Sequence, residues 1–294
     1  SNSWKKLKRK KMHHNKRDFT SQPLLQKQAK IIQLLEQSGY VDSSRISKEI
    51  IEFTGGDLEK IDIVLADIAA NKPWEYIRGW TIFDGNKIKV SKDTLIPRVE
   101  TEDLVEAAEA AILDLLQRYQ EKISIIDLGT GSGAVIISLY KRLLVQRIRV
   151  KFLASDVSIS VLDVVRANIS ENLIKPEAIE LIQSDLLADL KFQHKTVFIV
   201  ANLPYIPVTE MSDLEPSVKE YEPRLALDGG EDGINIYKRL FDQLKEQSKK
   251  HSFSGIIETH SRSINQLAEY VRQSYSSVQI LPDRFNRPRF IKCS

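Results

Sequence analysis

The sequence predicts an α/β protein in which a small helical domain precedes a larger domain built on a mostly parallel sheet. Two observations carry this. Apolar residues recur at helical spacing up to about residue 70, and from about residue 123 short apolar runs alternate regularly with helical patterns. A chain of 294 residues is also longer than one compact core usually needs. Its 42% hydrophobic and 28% charged residues are ordinary for a globular chain, and no apolar run approaches the roughly 18 residues of a membrane span.

The first 22 residues are expected to be a basic disordered tail. Residues 1–17 hold eight Lys or Arg and no acid, so 35 basic residues face 40 acidic ones in the rest of the chain. The net charge of +3 thus describes the tail, and the body is acidic. Such a tail is either a solvated arm or a weak contact for RNA phosphates. The opening segment is basic and lacks an apolar stretch, which is not the pattern of a secretory signal. With Cys293 as the single cysteine, no internal disulfide framework is expected, which suits a reducing, cytoplasmic setting.

Pro23 opens an amphipathic helical pattern (Leu24, Leu25, Ile31, Ile32, Leu35) that closes at Gly39. A second helix is expected over residues 44–53, stopped by Gly55-Gly56, and a third after an N-cap at Asp57. Residues 23–79 therefore read as a helical domain. Residues 80–92 read as a β-hairpin linker, because Asp84-Gly85 suits the positive φ angles of a tight turn. Residues 93–294 read as the second domain, starting with a helix over 100–120. Its strands are expected at 123–128, 150–155, 179–183, 197–201, 255–258, 278–281 and 289–292, with helices near 134–144, 159–171, 234–249 and 262–275. The last two strands are close enough in sequence to be antiparallel neighbours.

Four constellations fall at successive strand ends, where open α/β sheets bind ligands. Asp127-Leu-Gly129-Thr130-Gly131-Ser132-Gly133 lies between a strand and a helix, and its glycines allow a sharp turn and close ligand approach. Asp156, ending the next strand, can accept from both ribose hydroxyls of a nucleoside, and Asp185-Leu186 after the third can hold an adenine ring. Asn202-Leu203-Pro204-Tyr205 ends the fourth strand. An amide nitrogen is a poor nucleophile, so a site that methylates it must grip its two N–H bonds and aim it. The Asn202 side-chain oxygen and Leu203 carbonyl are suitable acceptors, Pro204 stiffens the loop, and Tyr205 offers a flat face.

With these residues in view, the chain from about Leu24 onward resembles the PrmC/HemK family of release factor glutamine methyltransferases. The resemblance extends to Pro73-Trp-Glu-Tyr-Ile-Arg-Gly79, to Leu95-Ile-Pro97-Arg98-Val-Glu100-Thr101-Glu102, and to Ala226-Leu-Asp-Gly-Gly-Glu-Asp-Gly233 followed by Tyr237. It implies a helical substrate-recognition domain joined by a hairpin to a seven-stranded Rossmann-like methyltransferase domain. It implies S-adenosylmethionine as cofactor, held by Asp127, the 129–133 loop, Asp156, Asp185, Leu186 and Asn202. The implied methyl acceptor is the glutamine of a Gly-Gly-Gln loop in class 1 peptide chain release factors. Pro97, Arg98, Glu100 and Thr101 are then candidates for an active-site wall. The chain departs from the family at Leu203, usually a proline, and at Glu258-Thr-His260, where a glycine tends to follow the acid.

Two other readings remain open from the residues. An adenine amine presents the same two N–H bonds, so Asn202 to Tyr205 also suits a methyltransferase acting on RNA or DNA, although an acidic body is a poor surface for nucleic acid. The chain could instead bind cofactor and a ribosomal or release-factor partner without turnover. No metal site is expected, since the five histidines (13, 14, 194, 251 and 260) are too dispersed by spacing.

Overall fold

The computed structural model describes residues 22–118, 122–148 and 150–294. The basic run at residues 1–17, and all but the last residue of the expected tail, lie outside them. The chain divides into two compact units with the boundary between Arg78 and Gly79.

The described part of the first unit is four helices: α1 (Gln22–Gln37), α2 (Ser43–Thr54), α3 (Leu58–Ala69) and α4 (Trp74–Arg78). Each of the first three buries one apolar stripe, so that Ile31, Leu35, Ile50, Ile61 and Ile68 form a common core with Trp74. Helix α2 ends on Gly55, whose φ of 65° is left-handed, and the Asp57 side chain caps α3 by accepting from the N–H groups of Glu59 and Lys60. Helix α4 is too short to show periodicity in sequence. It is held by Glu49 of α2, whose Oε2 accepts from the Trp74 indole at 2.9 Å and from Arg78 at 2.6 Å.

The second unit opens with the hairpin β1 (Trp80–Phe83) and β2 (Asn86–Lys89), turned by Asp84 and Gly85 at φ 49° and 72°. Expected as a connector, the hairpin is built into this unit. Phe83 and Ile88 join its main core, and Asn168 clamps Lys89 by accepting from its N–H (2.7 Å) and donating to its carbonyl (3.0 Å). After α5 (Thr101–Arg118) the chain alternates through β3 (Ile123–Leu128), α6 (Ala134–Val145), β4 (Lys151–Asp156), α7 (Ile159–Glu171), β5 (Ile179–Gln183) and β6 (Thr196–Ala201). Short turns of 3-10 helix and α8 (Pro216–Tyr221) then lead to α9 (Asn235–Gln247), β7 (Ser252–Glu258), α10 (Ile264–Arg272), β8 (Val278–Pro282) and β9 (Pro288–Cys293).

The seven strands of this sheet run in the order β5-β4-β3-β6-β7-β9-β8. Pairings from β5 to β7 are parallel, while β9 is antiparallel to both neighbours, as expected for the last two strands. Strands β3 and β6 are buried along their whole length, which is why both are mostly apolar, with Ser124, Asp127 and Thr196 as the polar exceptions. The chain winds outward from β3 through β4 to β5, then returns to β6 on the other side. Such a reversal leaves a crevice beyond the carboxyl ends of β3 and β6. Among the described residues, no helix is long and apolar enough to cross a membrane.

Candidate active site

A cavity of about 480 Å³ opens at this reversal point, bordered by residues from the ends of β3, β4, β5 and β6. Its β3 side is shaped by backbone conformation. Gly129, Gly131 and Gly133 have φ of 64°, 55° and 80°, a region that other residues enter only under strain. Asp127 is buried and accepts from the Thr130 hydroxyl at 2.7 Å. Burial pushes its carboxyl up to about 7, against the opposing bonds from Thr130 and the Ile136 N–H, and Asp156 adds to the rise. At the end of β4, Asp156 accepts from Gly131 N–H at 3.2 Å and from Ser158 N–H at 3.0 Å, one bond to each oxygen. Each oxygen keeps acceptor capacity, enough for a pair of vicinal hydroxyls. Asp185 and Leu186 border the cavity at the end of β5, where Asp185 pairs with Arg239 at 2.5 Å. These residues fit a nucleoside: a backbone cradle in which Gly129 and Gly131 bring no Cβ, a carboxylate with spare lone pairs, and apolar Leu186.

The β6 side is shaped by side chains. The Asn202 Nδ2 donates to Thr101 Oγ1 at 3.1 Å, while its Oδ1 accepts nothing from the described residues. The Leu203 N–H donates to the Tyr237 hydroxyl at 2.9 Å, and that hydroxyl donates to the Glu258 carbonyl. The Leu203 side chain lies against Gly129, where an added Cβ would stand 2.6 Å from its Cδ2. Tyr205 is half-buried, with its ring 6.2 Å from that of His260. Burial raises the Tyr205 hydroxyl to about 12, with Glu258 nearby adding to the effect.

Comparison with known proteins agrees with this geometry. The family model of the methyltransferase small domain matches residues 97–214. The release factor glutamine methyltransferase of Koribacter versatilis is 32% identical over 241 residues, covering 82% of this chain and 81% of that protein. That of Streptococcus pneumoniae is 36% identical over 227 residues, covering 77% and 71%. The chain belongs to the release factor glutamine methyltransferase family. It is accordingly an S-adenosylmethionine-dependent methyltransferase. The Lactococcus lactis relative, 36% identical over 192 residues, is spanned over 66% of its length. Among solved structures, the catalytic domain of hMettl16 in complex with a MAT2A 3'UTR hairpin aligns with a TM-score of 0.54 at 19% identity. That match covers 71% of this chain and 74% of the other, and shows a shared fold.

Most residues singled out in the sequence of this methyltransferase border the cavity: Pro97, Arg98 and Thr101; Asp127 and Gly129 to Ser132; Asp156, Asp185 and Leu186; and Asn202 to Pro204. Gly133, Glu100 and Tyr205 do not. Gly133 starts α6, where a Cβ would stand 2.9 Å from Val165. Glu100 acts on the site through its charge, which helps raise the Glu258 carboxyl. Several bordering residues went unread in the sequence. Val157 and Ser158 directly follow Asp156, and proximity to that strand end was the available signal. Leu225, Ile236 and Arg239 reach the cavity from the segments around the Gly229-Gly230 pair.

The family-like Gly-Gly segment has a physical reason here. Ile206 N–H donates to the Leu227 carbonyl (3.0 Å) and Gly229 N–H donates back to the Ile206 carbonyl (2.8 Å), so the 226–233 segment lines the back of the loop that follows β6. A Cβ on Gly229 would lie 2.7 Å from the Tyr205 Cα, and one on Gly233 would lie 2.5 Å from the Tyr205 carbonyl oxygen. Arg98 reaches across to the buried Glu222 at 2.6 Å, tying the Pro-Arg segment to the loop after α8. No cluster of potential metal ligands occurs among the described residues.

Proposed function

We propose that this protein transfers a methyl group from S-adenosylmethionine to the side-chain amide nitrogen of the glutamine in the Gly-Gly-Gln loop of class 1 peptide chain release factors, in the cytoplasm. The observation that carries this reading is the direction of the Asn202 amide. With Nδ2 committed to Thr101, Oδ1 is the atom left to accept a hydrogen bond from an incoming NH2 group.

The cofactor, when bound, supplies a methyl group on a positively charged sulfur, a strong electrophile. Asp156 would hold the ribose hydroxyls, the 129–132 backbone would receive the rest of the nucleoside, and Leu186 would offer the adenine an apolar surface. The acceptor amide donates one N–H to Asn202 Oδ1 and the other to the Leu203 carbonyl. With both N–H bonds fixed in the amide plane, the nitrogen presents its face to the methyl group, and much of the barrier is met by orientation. Pro204 borders the cavity and limits the loop's freedom, with the Tyr205 backbone held behind it against Gly229 and Gly233. The extra proton leaves the amide after transfer, so the site needs no strong base.

The test is to incubate the full chain with labelled S-adenosylmethionine and a release factor, its Gln-to-Ala loop variant, or ribosomal RNA. Label on the wild-type factor and not on the variant is the expected result. Label on RNA would overturn the choice of acceptor, and tight cofactor binding with no label on any partner would overturn the enzymatic reading.

A further inference from the structure

The end of β7 reaches both groups assigned above to the acceptor amide. On the side-chain route, Asn202 Nδ2 donates to Thr101 Oγ1 at 3.1 Å, and the Thr101 hydroxyl faces the Glu258 carboxyl, where it offsets part of the cost of burial. On the main-chain route, Leu203 N–H donates to Tyr237 Oη at 2.9 Å, and Tyr237 donates to the Glu258 carbonyl. Thr101, Tyr237 and Glu258 are all buried, and the Glu258 Oε2 is buried without a hydrogen-bond partner among the described residues. The first route ends at the Glu258 carboxyl and the second at the main chain of the same residue, and a carboxyl buried there is costly unless it has a task.

We infer that Glu258 is a positioning residue which, through the hydroxyls of Thr101 and Tyr237, sets the direction of the Asn202 amide and anchors Leu203 for receipt of the acceptor amide. The inference rests on the proposed function for what is received.

The side-chain relay has a polarity because a hydroxyl carries one proton. An ionised Glu258 can only accept, so Thr101 donates to it and must accept from Asn202 Nδ2, which leaves Oδ1 facing the substrate. A protonated Glu258 can donate to Thr101. Thr101 then donates to Asn202 Oδ1, the amide turns over, and an NH2 group faces the NH2 group of the substrate. That arrangement does not bind. The main-chain relay gives a use to this chain's departure from the family pattern. A proline at position 203 would have no N–H for Tyr237, whereas Leu203 ties the loop to β7.

Which polarity prevails depends on the groups around Glu258. Burial pushes its carboxyl up to about 7; Thr101 and Arg289 of β9 oppose this, while Glu100 and Asp103 at the start of α5 add to it. Arg289 Nε also lies 3.6 Å from Asp283, which divides its charge. Tyr205 and Tyr237, the other titratable groups against it, are raised by burial and stay neutral. Transfer is therefore expected to fall as pH drops through about 7, by about tenfold per unit below it, as for one essential ionisation.

The experiment measures kcat and KM for the release factor from pH 5.5 to 9, with cofactor affinity by calorimetry at each pH. It compares wild type with Glu258→Gln, Thr101→Val, Thr101→Ser and Tyr237→Phe. Glu258→Gln is expected to flatten the kcat profile around pH 7. Thr101→Val should lower kcat about 30-fold, as expected for a misaligned amide, with Thr101→Ser restoring most of it and cofactor affinity within about threefold throughout. Tyr237→Phe should lower kcat more than it raises KM. A wild-type profile kept by Glu258→Gln would overturn the inference. If that variant does not fold, an unchanged kcat in Thr101→Val, or a Thr101→Ser no better than Val, does the same. Label on RNA instead of the factor would overturn the choice of acceptor alone. The same pH and variant pattern, measured on RNA, would then still support the relay, because an adenine amine needs the same two acceptors.

Discussion

Around Asp127 the polar bonds that shape the cavity are mostly short in sequence, whereas around Asn202 they are long. Thr130 bonds to Asp127 three residues away, Ser158 bonds to Asp156 two residues away, and the longer bond from Gly131 to Asp156 spans one β-α-β step. Asn202 relies on Thr101, 101 residues earlier, and Leu203 relies on Tyr237, 34 residues later. The Asp127 end, proposed above to hold the cofactor, is thus a local fold of the chain, while the Asn202 end, proposed to take the acceptor, is a product of assembly. A locally built site is specified by a short segment and tolerates change elsewhere. A site built by assembly can be disturbed from several distant positions without losing its cofactor.

The sharpest separation of the two ends comes from Asn202→Ala. It removes the acceptor Oδ1 but touches none of the backbone cradle, so kcat should fall by roughly a thousandfold while cofactor affinity stays within about threefold. Loss of cofactor affinity by the same factor would show that the two ends are one unit. The converse change is Asp156→Ala, which removes a carboxylate that accepts from two N–H groups and is assigned to the ribose. Losing charge-assisted bonds of about 1.5–3 kcal/mol should weaken cofactor binding by about 10- to 100-fold. The KM for the release factor should hardly move. Both are read by calorimetry for the cofactor and initial rates for the acceptor.

The same division explains what the sequence disclosed. Strands β3 and β5 have the bounds that the sequence indicated, and Asp127 and Gly129 to Ser132 stand at the cavity edge because a short glycine-rich segment after a buried strand can fold in few ways. The residues of the Asn-Leu-Pro-Tyr loop were visible, but what supports them was not. Nothing in the spacing of Thr101, Tyr237 and Glu258 says that they converge, since only the strand order brings α5, α9 and β7 to one point. The Gly-Gly segment was recognisable by resemblance, yet its reason, the close approach of Tyr205, is a tertiary contact. Helices α4 and α8, of five and six residues, are shorter than two turns and left no periodic trace.

Gly229→Ala tests the assembled end from behind. Its Cβ would meet the Tyr205 Cα at 2.7 Å and the Pro204 carbonyl oxygen at 2.9 Å, both backbone atoms that cannot swing aside. Overpacking of this kind costs about 1–3 kcal/mol, to be seen as a lower melting temperature. The displaced loop should reduce kcat by about tenfold with cofactor affinity retained. A variant with unchanged kcat would mean that the Gly-Gly segment serves folding and not the acceptor loop.

The smallest expected effect belongs to the locally built end and concerns stability. Asp127 has its carboxyl raised from the usual 3.8 to about 7 by burial, only partly opposed by Thr130 and the Ile136 N–H. Where the folded state holds a proton more tightly than the unfolded chain, its contribution is fully present below the unfolded value and is lost as pH rises through the folded one. The cofactor-free protein should therefore lose stability between about pH 4 and pH 8 on account of this group, read as a melting temperature that falls as pH rises. Glu258, also raised to about 7, adds a slope of the same sign. Asp127→Asn should remove the first part, because a neutral amide has no proton to lose, and Glu258→Gln the second. If each substitution removes its share independently, the two ends of the cavity are separable in stability as well as in chemistry. If either one removes both, Leu203 packed against Gly129 couples them, and the local and assembled halves fold as one.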